Sequence, residues 1–365
     1  MPSNPLFSTF RNKTLSLENR IVMAPMTRAR SPNGVPTDEV AAYYRRRVEG
    51  GVGLIITEGT TINRPSASND TAIPNFHTRE SLDAWARVVG EVHAAGGKIA
   101  PQLWHMGMAR EPGSGPNPGS PSEGPSGLSA SGDEVSAPMT DADIADTISA
   151  FASAAAKAKE IGFDAIELHG AHGYLLDQFF WAQSNRRTDR YGGDIVDRTR
   201  FAREVVHAVR QRVGSDFNII FRVSQWKQQD YHARLATNPL ELSALLEPLA
   251  LAGVDIFHCS TRRFWEPEFN RSHLNLAGWA KKITGKPTIT VGSVGLQGKD
   301  FTHAFKGESA AVSDLGDLER RLQRREFDLV AVGRALIADA DWPTKIRRDK
   351  FSEIMPFNPA SLACL

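Results

Sequence analysis

A chain of 365 residues, 41% of them apolar and 30 of them glycine, has the composition of a globular protein with a sizeable core, which excludes a disordered chain or a short peptide binder. Lys and Arg number 43 against 42 Asp and Glu, a net charge of +1, so no overall field draws the chain to nucleic acid or an anionic membrane and any anion must be held by a local site. The two cysteines, Cys259 and Cys364, are too few for a disulfide framework, a four-cysteine zinc site or an iron–sulfur cluster, and fit a reducing compartment.

The N-terminal segment MPSNPLFSTFRNKTLS lacks the basic start and apolar stretch of a secretory signal, and no later run approaches the ~18 apolar residues of a membrane helix. The cytoplasm is the expected location. Short apolar runs then recur at 21–24, 54–57, 98–103, 165–169, 218–222, 256–260, 288–291 and 329–332. Each is rich in branched residues and lacks a polar alternate face, as expected of a parallel strand buried on both sides. Amphipathic stretches separate them. Thr140 and Asp143 make a capping signal, followed by Ile144, Ile148, Phe151 and Ala155 at helical spacing until Gly162. Phe201, Val205, Val206 and Val209 repeat the pattern within 198–213, which Gly214 closes. Eight strand-then-helix units predict a single-domain (β/α)8 barrel over residues 1–365, with a doubly wound sheet as the alternative.

Two stretches interrupt the rhythm. Residues 107–138 are crowded with Gly, Pro and Ser and read as a long loop after the third strand, a linker between domains being the competing reading. Residues 261–276 follow the sixth strand and bring Phe264, Trp265 and Phe269 to the end of the barrel where active sites are built, so Trp265 is expected at the substrate.

Chemistry-bearing residues cluster at the strand ends. Gly292 and Ser293 close the seventh run and Gly333 and Arg334 the eighth, where barrels commonly bind phosphate through backbone N–H groups and a bidentate Arg. Tight turns alone would also explain the glycines. The fourth run leads into His169, His172 and Tyr174, two imidazoles and a phenol on one strand-to-loop turn. No Asp or Cys within that motif offers a third metal ligand, so no metal is expected there. Gly292, Gly295 and Gly298 do not have the spacing of a dinucleotide-binding turn.

Ala24-Pro25-Met26-Thr27, Gln102-Leu103-Trp104, His169-x-x-His172-x-Tyr174, the stretch from Ser184 through Tyr191-Gly192-Gly193, and Gly333-Arg334 together resemble the Old Yellow Enzyme family of flavin ene-reductases. The resemblance implies a barrel holding one non-covalent FMN, reduced by NADH or NADPH and reoxidised by an activated alkene: an α,β-unsaturated carbonyl, a maleimide or a nitro-alkene. It places Pro25, Met26, Thr27 and Gly59 along the flavin, Gln102 at its pyrimidine edge, Arg222 beside N1, and Gly292, Ser293, Gly333 and Arg334 at the phosphate. A cation near N1 stabilises the charge of reduced flavin. The resemblance also gives His169 and His172 the substrate carbonyl and Tyr174 the proton for Cα, with Trp104 beside them. Three alternatives remain at this point: another FMN barrel, a metal hydrolase using His105, His169 and His172, and a non-catalytic module that binds a phosphate ligand.

Overall fold

The computed structural model describes residues 4–297 and 301–365; Gly298 lies outside the described residues. Two short strands, β1 (Phe10–Asn12) and β2 (Leu15–Leu17), form an antiparallel hairpin. Eight parallel strands follow: β3 (Ile21–Met23), β4 (Leu54–Thr61), β5 (Lys98–Trp104), β6 (Ala165–His172), β7 (Asn218–Lys227), β8 (Ile256–Ser260), β9 (Thr288–Val291) and β10 (Leu329–Val332). They pair in chain order, and β10 returns to β3 to close a (β/α)8 barrel. All eight expected runs are strands of it. Four extend further than the apolar pattern indicates: β4 to Thr61, β5 by one residue to Trp104, β6 to His172 and β7 to Lys227.

Successive side chains of a strand face opposite ways, and here both faces are covered, which is why the runs show no polar alternation. Val22, Leu54, Ala165, Ile220, Ile256 and Ile289 belong to the inner cluster. Phe10, Leu15 and Leu17 of the hairpin pack into that cluster at the strand starts and close the barrel from below. Their alternate neighbours, such as Ile21, Ile55, Ile166, Ile219 and Phe257, face outward into a second cluster with Val88, Phe151, Phe201 and Leu245 of the surrounding helices.

Toward the strand ends the inward row turns polar. Two residues on from Ala100 stands Gln102; from Ala165, Glu167 and then His169; from Ile220, Arg222 and Ser224; from Ile256, His258 and Ser260. Register brings these into one layer, with Gln102 opposite Glu167, His169 opposite Arg222, Arg222 opposite His258 and Ser224 opposite Ser260. The period-2 geometry that builds the apolar floor thus delivers a polar ceiling at the C-terminal ends of the strands.

The helix Asp141–Glu160 starts in the expected capping box: the Thr140 side chain accepts from the Asp143 amide and Asp143 accepts from the Thr140 amide. Gly162 follows it at φ +99°, and Gly214 ends Arg200–Val213 at φ +79°. Between β5 and Asp141 the chain forms the long Gly/Pro/Ser loop, which is tied to a buried cation: Arg110 donates to the carbonyls of Ser68, Ser114, Asn117 and Ser120. One guanidinium therefore satisfies backbone groups that no sheet or helix pairs. Among the described residues no helix is long and apolar enough to cross a membrane.

Candidate active site

The polar ends of the strands surround a cavity of about 330 Å³. Pro25, Met26, Thr27, Gly59, Gln102, Trp104, His169, His172, Tyr174, Arg222, Gly292, Ser293, Gly333 and Arg334 all line it, so residues from seven strand ends and their loops converge as expected.

Trp265 does not. Phe264 and Phe269 of its loop are buried in the outer core, Trp265 packs edge-on against Phe264 with centroids 5.2 Å apart, and its carbonyl accepts from Arg321 at 3.1 Å. The aromatic residues anchor this loop by burial, and its polar start, Thr261 and Arg262, reaches the cavity instead. His105 is likewise separate from the other histidines, since its Nε2 pairs with Glu123 at 2.8 Å. Among the described residues no group of three or more His, Cys, Asp or Glu side chains is placed to hold a metal ion.

The His-His-Tyr turn is held in an unusual backbone. His172 has φ +66°, in the left-handed region that a branched or bulky residue rarely enters, next to a register shift between β6 and β7. Three contacts hold it there. Its amide donates to Ser224 Oγ at 2.9 Å, its ring stacks on Trp226 at 4.3 Å, and its Nε2 meets Ser260 Oγ at 2.8 Å. Behind the turn, Lys227 Nζ and the Gly173 amide both bond the Asp177 carboxylate, at 2.8 and 2.6 Å. Lys227 and Asp177 have no exposed surface. Burial pushes the Asp177 carboxyl up and the Lys227 amine down, and their mutual attraction opposes both shifts.

His169 lies edge-on to both His172 and Tyr174, with centroids 5.1 and 5.0 Å apart, and Tyr174 is edge-on to Trp104 at 5.1 Å. Burial, then the charge of Arg222, holds both imidazoles well below the usual histidine range. They are therefore neutral near pH 7, each with one N–H to give. His169 Nδ1 is buried with no hydrogen-bond partner, as is Arg222 Nε. Burial also raises the Tyr174 phenol, a hydrogen bond with Gln228 opposing it, so this group stays protonated.

Beneath the cavity Glu167 accepts from Gln102 Nε2 at 2.7 Å and pairs with His258 Nδ1 at 2.6 Å. Burial opposes the charge of Glu167, but His258, Arg222 and Gln102 outweigh it and hold the carboxyl below the usual range. An ionised carboxylate only accepts, so it fixes the Gln102 amide with Nε2 inward and leaves the amide oxygen for a donor in the cavity. Arg222 Nη2 reaches Ser260 Oγ at 3.4 Å. At the strand ends β9 and β10, Arg334 bonds Ser293 Oγ at 3.3 Å. A side chain on Gly292 would meet the Thr261 carbonyl at 2.7 Å, and one on Gly59 would press on the Trp104 ring at 3.2 Å.

These features fit a flavin mononucleotide. A cation and an amide acceptor sit together at the barrel axis, an Arg/Ser/Gly pair of turns suits a phosphate, and three buried polar atoms of the lining, Trp104 Nε1, His169 Nδ1 and Arg222 Nε, lack hydrogen-bond partners. The comparisons agree. Residues 5–353 match the model of the NADH:flavin oxidoreductase / NADH oxidase family. The chain belongs to the Old Yellow Enzyme family. It is 39% identical to the flavin oxidoreductase hxnT of Emericella nidulans over 95% of this chain and 91% of that protein. It is 33% identical to an NADH oxidase of Thermoanaerobacter brockii over 99% of this chain, and spans only 53% of that longer protein. The structure of morphinone reductase in complex with tetrahydroNAD superposes with a TM-score of 0.81 at 28% identity, covering 99% of this chain and 94% of that one. The family to which this chain belongs is one of NADH:flavin oxidoreductases.

Several cavity residues were not singled out by the sequence pattern as site residues. Ser224, Trp226 and Gln228 lie beyond the apolar part of β7, in a polar stretch that resembles loop; Ser260 and Thr261 stand at the end of β8; Leu362 comes from the C-terminal segment. A signal for the first group was present in the alternation Arg222, Ser224, Trp226, which continues the inward row.

Proposed function

We propose that the chain is an FMN-dependent alkene reductase that takes its electrons from NADH or NADPH and delivers them to an activated alkene, such as an α,β-unsaturated carbonyl, a maleimide or a nitro-alkene. The observation that carries this reading is the convergence, in one cavity, of two neutral imidazoles, a protonated phenol and a buried Arg whose Nε has no partner. FMN, when bound, supplies a carrier that accepts hydride from the nicotinamide and passes it to Cβ of the alkene. Arg222 and Gln102 would hold its pyrimidine edge, Pro25, Met26, Thr27 and Gly59 would lie along it, and Gly292, Ser293, Gly333 and Arg334 would take its phosphate.

His169 and His172 donate to the substrate's carbonyl or nitro oxygen, and their neutral state suits this role because each keeps one N–H without an added charge beside Arg222. Ser260 and Trp226 fix the His172 ring. Tyr174 holds the proton destined for Cα, since burial keeps the phenol protonated. Trp104 supports the Tyr174 ring. One cavity serves nicotinamide and alkene in turn, so no separate dinucleotide-binding turn is required.

Anaerobic addition of NADH or NADPH to the purified holoenzyme should bleach the flavin spectrum, and 2-cyclohexenone should restore it with formation of cyclohexanone. Bleaching without restoration by any enone, maleimide or nitro-alkene would leave a flavin reductase and refute the alkene-reductase reading.

A further inference from the structure

Glu58 follows Thr57 on β4 and precedes Gly59 of the cavity wall, but it does not line the cavity itself. It is 1% exposed. One oxygen, Oε2, accepts from two consecutive backbone amides, Arg28 at 2.8 Å and Ala29 at 3.0 Å. The other, Oε1, is buried with no hydrogen-bond partner. Those two amides directly follow Pro25, Met26 and Thr27, which do line the cavity, and Ala29 is held at φ +51°. No regular element spans this loop between β3 and the turn Pro32–Gly34. A short loop without internal ladder bonds takes its shape from whatever pairs its amides.

We propose that Glu58 is a positioning residue: its grip on the Arg28 and Ala29 amides holds Met26 and Thr27 at the cofactor face of the cavity, and protonation of its carboxylate loosens that face. The proposal rests on the reading of the cavity as a flavin site.

The groups facing Glu58 come from three elements. Arg28, on the clamped loop, lies over the Tyr43 ring at 5.2 Å and donates to the carbonyls of Leu362 and Cys364, so the same loop also anchors the C-terminal segment whose Leu362 lines the cavity. From the helix Asp38–Glu49, Tyr44 Oη accepts the Glu58 amide at 2.9 Å, while Tyr43 lies between Arg28 and Arg47. Asp70 adds a negative charge from the segment after β4. Burial pushes the Glu58 carboxyl up, the two amides and Arg28 pull it down, Asp70 pushes it up again, and the balance is about 7. Burial raises both tyrosines, so they stay neutral through this range.

Ionisation has two consequences of opposite sign. A carboxylate makes charge-assisted bonds roughly twice as strong as those of a neutral carbonyl, so the clamp tightens as pH rises through about 7. Global stability moves the other way: the folded value lies above the ordinary Glu range, so this group's contribution is full below that range and is lost as pH rises through about 7. Below about 7 the proton has Oε1 to occupy, and Oε2 still accepts, but more weakly. A local tightening against a global loss separates this clamp from simple pH-dependent unfolding.

The test is amide hydrogen exchange, measured from about pH 6 to about pH 8 on the holoenzyme and on flavin-free protein, alongside FMN titrations. Protection of the Arg28 and Ala29 amides, corrected for intrinsic exchange, should rise about tenfold across that window while amides of the barrel strands do not follow. Glu58→Gln should show the low value at every pH, and its FMN dissociation constant should lose the weakening that the wild type shows on acidification. Flat protection in the wild type, or wild-type protection in Glu58→Gln, overturns the clamp, and the wild-type profile decides alone should the variant not fold. FMN affinity that ignores a real step in the amides overturns the link to the cofactor and leaves the flavin reading standing. A protein that binds no FMN overturns that reading, and the amide profile still reports on Glu58.

Discussion

Replacing Tyr174 with Phe removes one hydroxyl and little else, so it can separate proton donation from pocket shape. The ring contacts with Trp104 and His169, at 5.1 and 5.0 Å, do not involve the oxygen. The hydroxyl's partner is Gln228, an exposed residue whose amide can turn to water, so the structural loss is at most about 1 kcal/mol. A general acid contributes on the order of 10² to 10⁴ in rate, which at 1.36 kcal/mol per decade is about 3 to 5 kcal/mol of barrier. The chemical loss therefore exceeds the structural one severalfold. Anaerobic stopped-flow absorbance of the flavin measures each half-reaction alone. Reduction by NADH or NADPH needs no proton from Tyr174 and should be nearly unchanged, while reoxidation by 2-cyclohexenone should slow by that factor. Nitro-alkenes should suffer less, because a nitronate product is stable without immediate protonation. Equal slowing of both halves would show that Tyr174 shapes the pocket and does not donate the proton.

Arg334→Ala removes a charged contact that bonds Ser293 at the strand ends β9 and β10, and should weaken FMN by about 1.5 to 3 kcal/mol, roughly 10-fold to 150-fold, in a fluorescence titration; unchanged affinity would move the phosphate elsewhere. Lys227→Met leaves the Asp177 carboxylate buried without its counter-ion and should cost about 3 to 5 kcal/mol in denaturant unfolding. Adding Asp177→Asn should recover most of that loss, since an amide oxygen can still accept from Gly173, and a single variant as stable as the parent would show that the pair does not hold the His172 turn.

The barrel was legible because a strand buried on both faces leaves an uninterrupted branched run, and eight such runs stand out from amphipathic helices. Where the inward row turned polar, the same rule lost the strand: β7 continues through Ser224, Trp226 and Lys227, residues that match a loop by composition and a strand by alternation. The hairpin β1 and β2 escaped notice because each strand has only three residues. Residues carried by a motif, such as His169, His172 and Tyr174, line the cavity together, because one strand-to-loop turn carries all three. Trp265 was misplaced because aromatic content cannot distinguish a side chain that anchors a loop in the core from one that faces a ligand. The buried supports, Glu58, Glu167, His258, Asp177 and Lys227, depend on contacts across the barrel and have no local pattern at all.

The central claim, a flavin and an oxygen-binding His pair in one cavity, is most directly tested by titrating the oxidised holoenzyme with a para-substituted phenol. Two neutral imidazoles with N–H groups to give should stabilise the phenolate beside the flavin and produce a long-wavelength charge-transfer band. His169→Ala combined with His172→Ala should abolish the band with FMN still bound. A band that persists in the double variant, or a parent protein that shows none, would contradict the account.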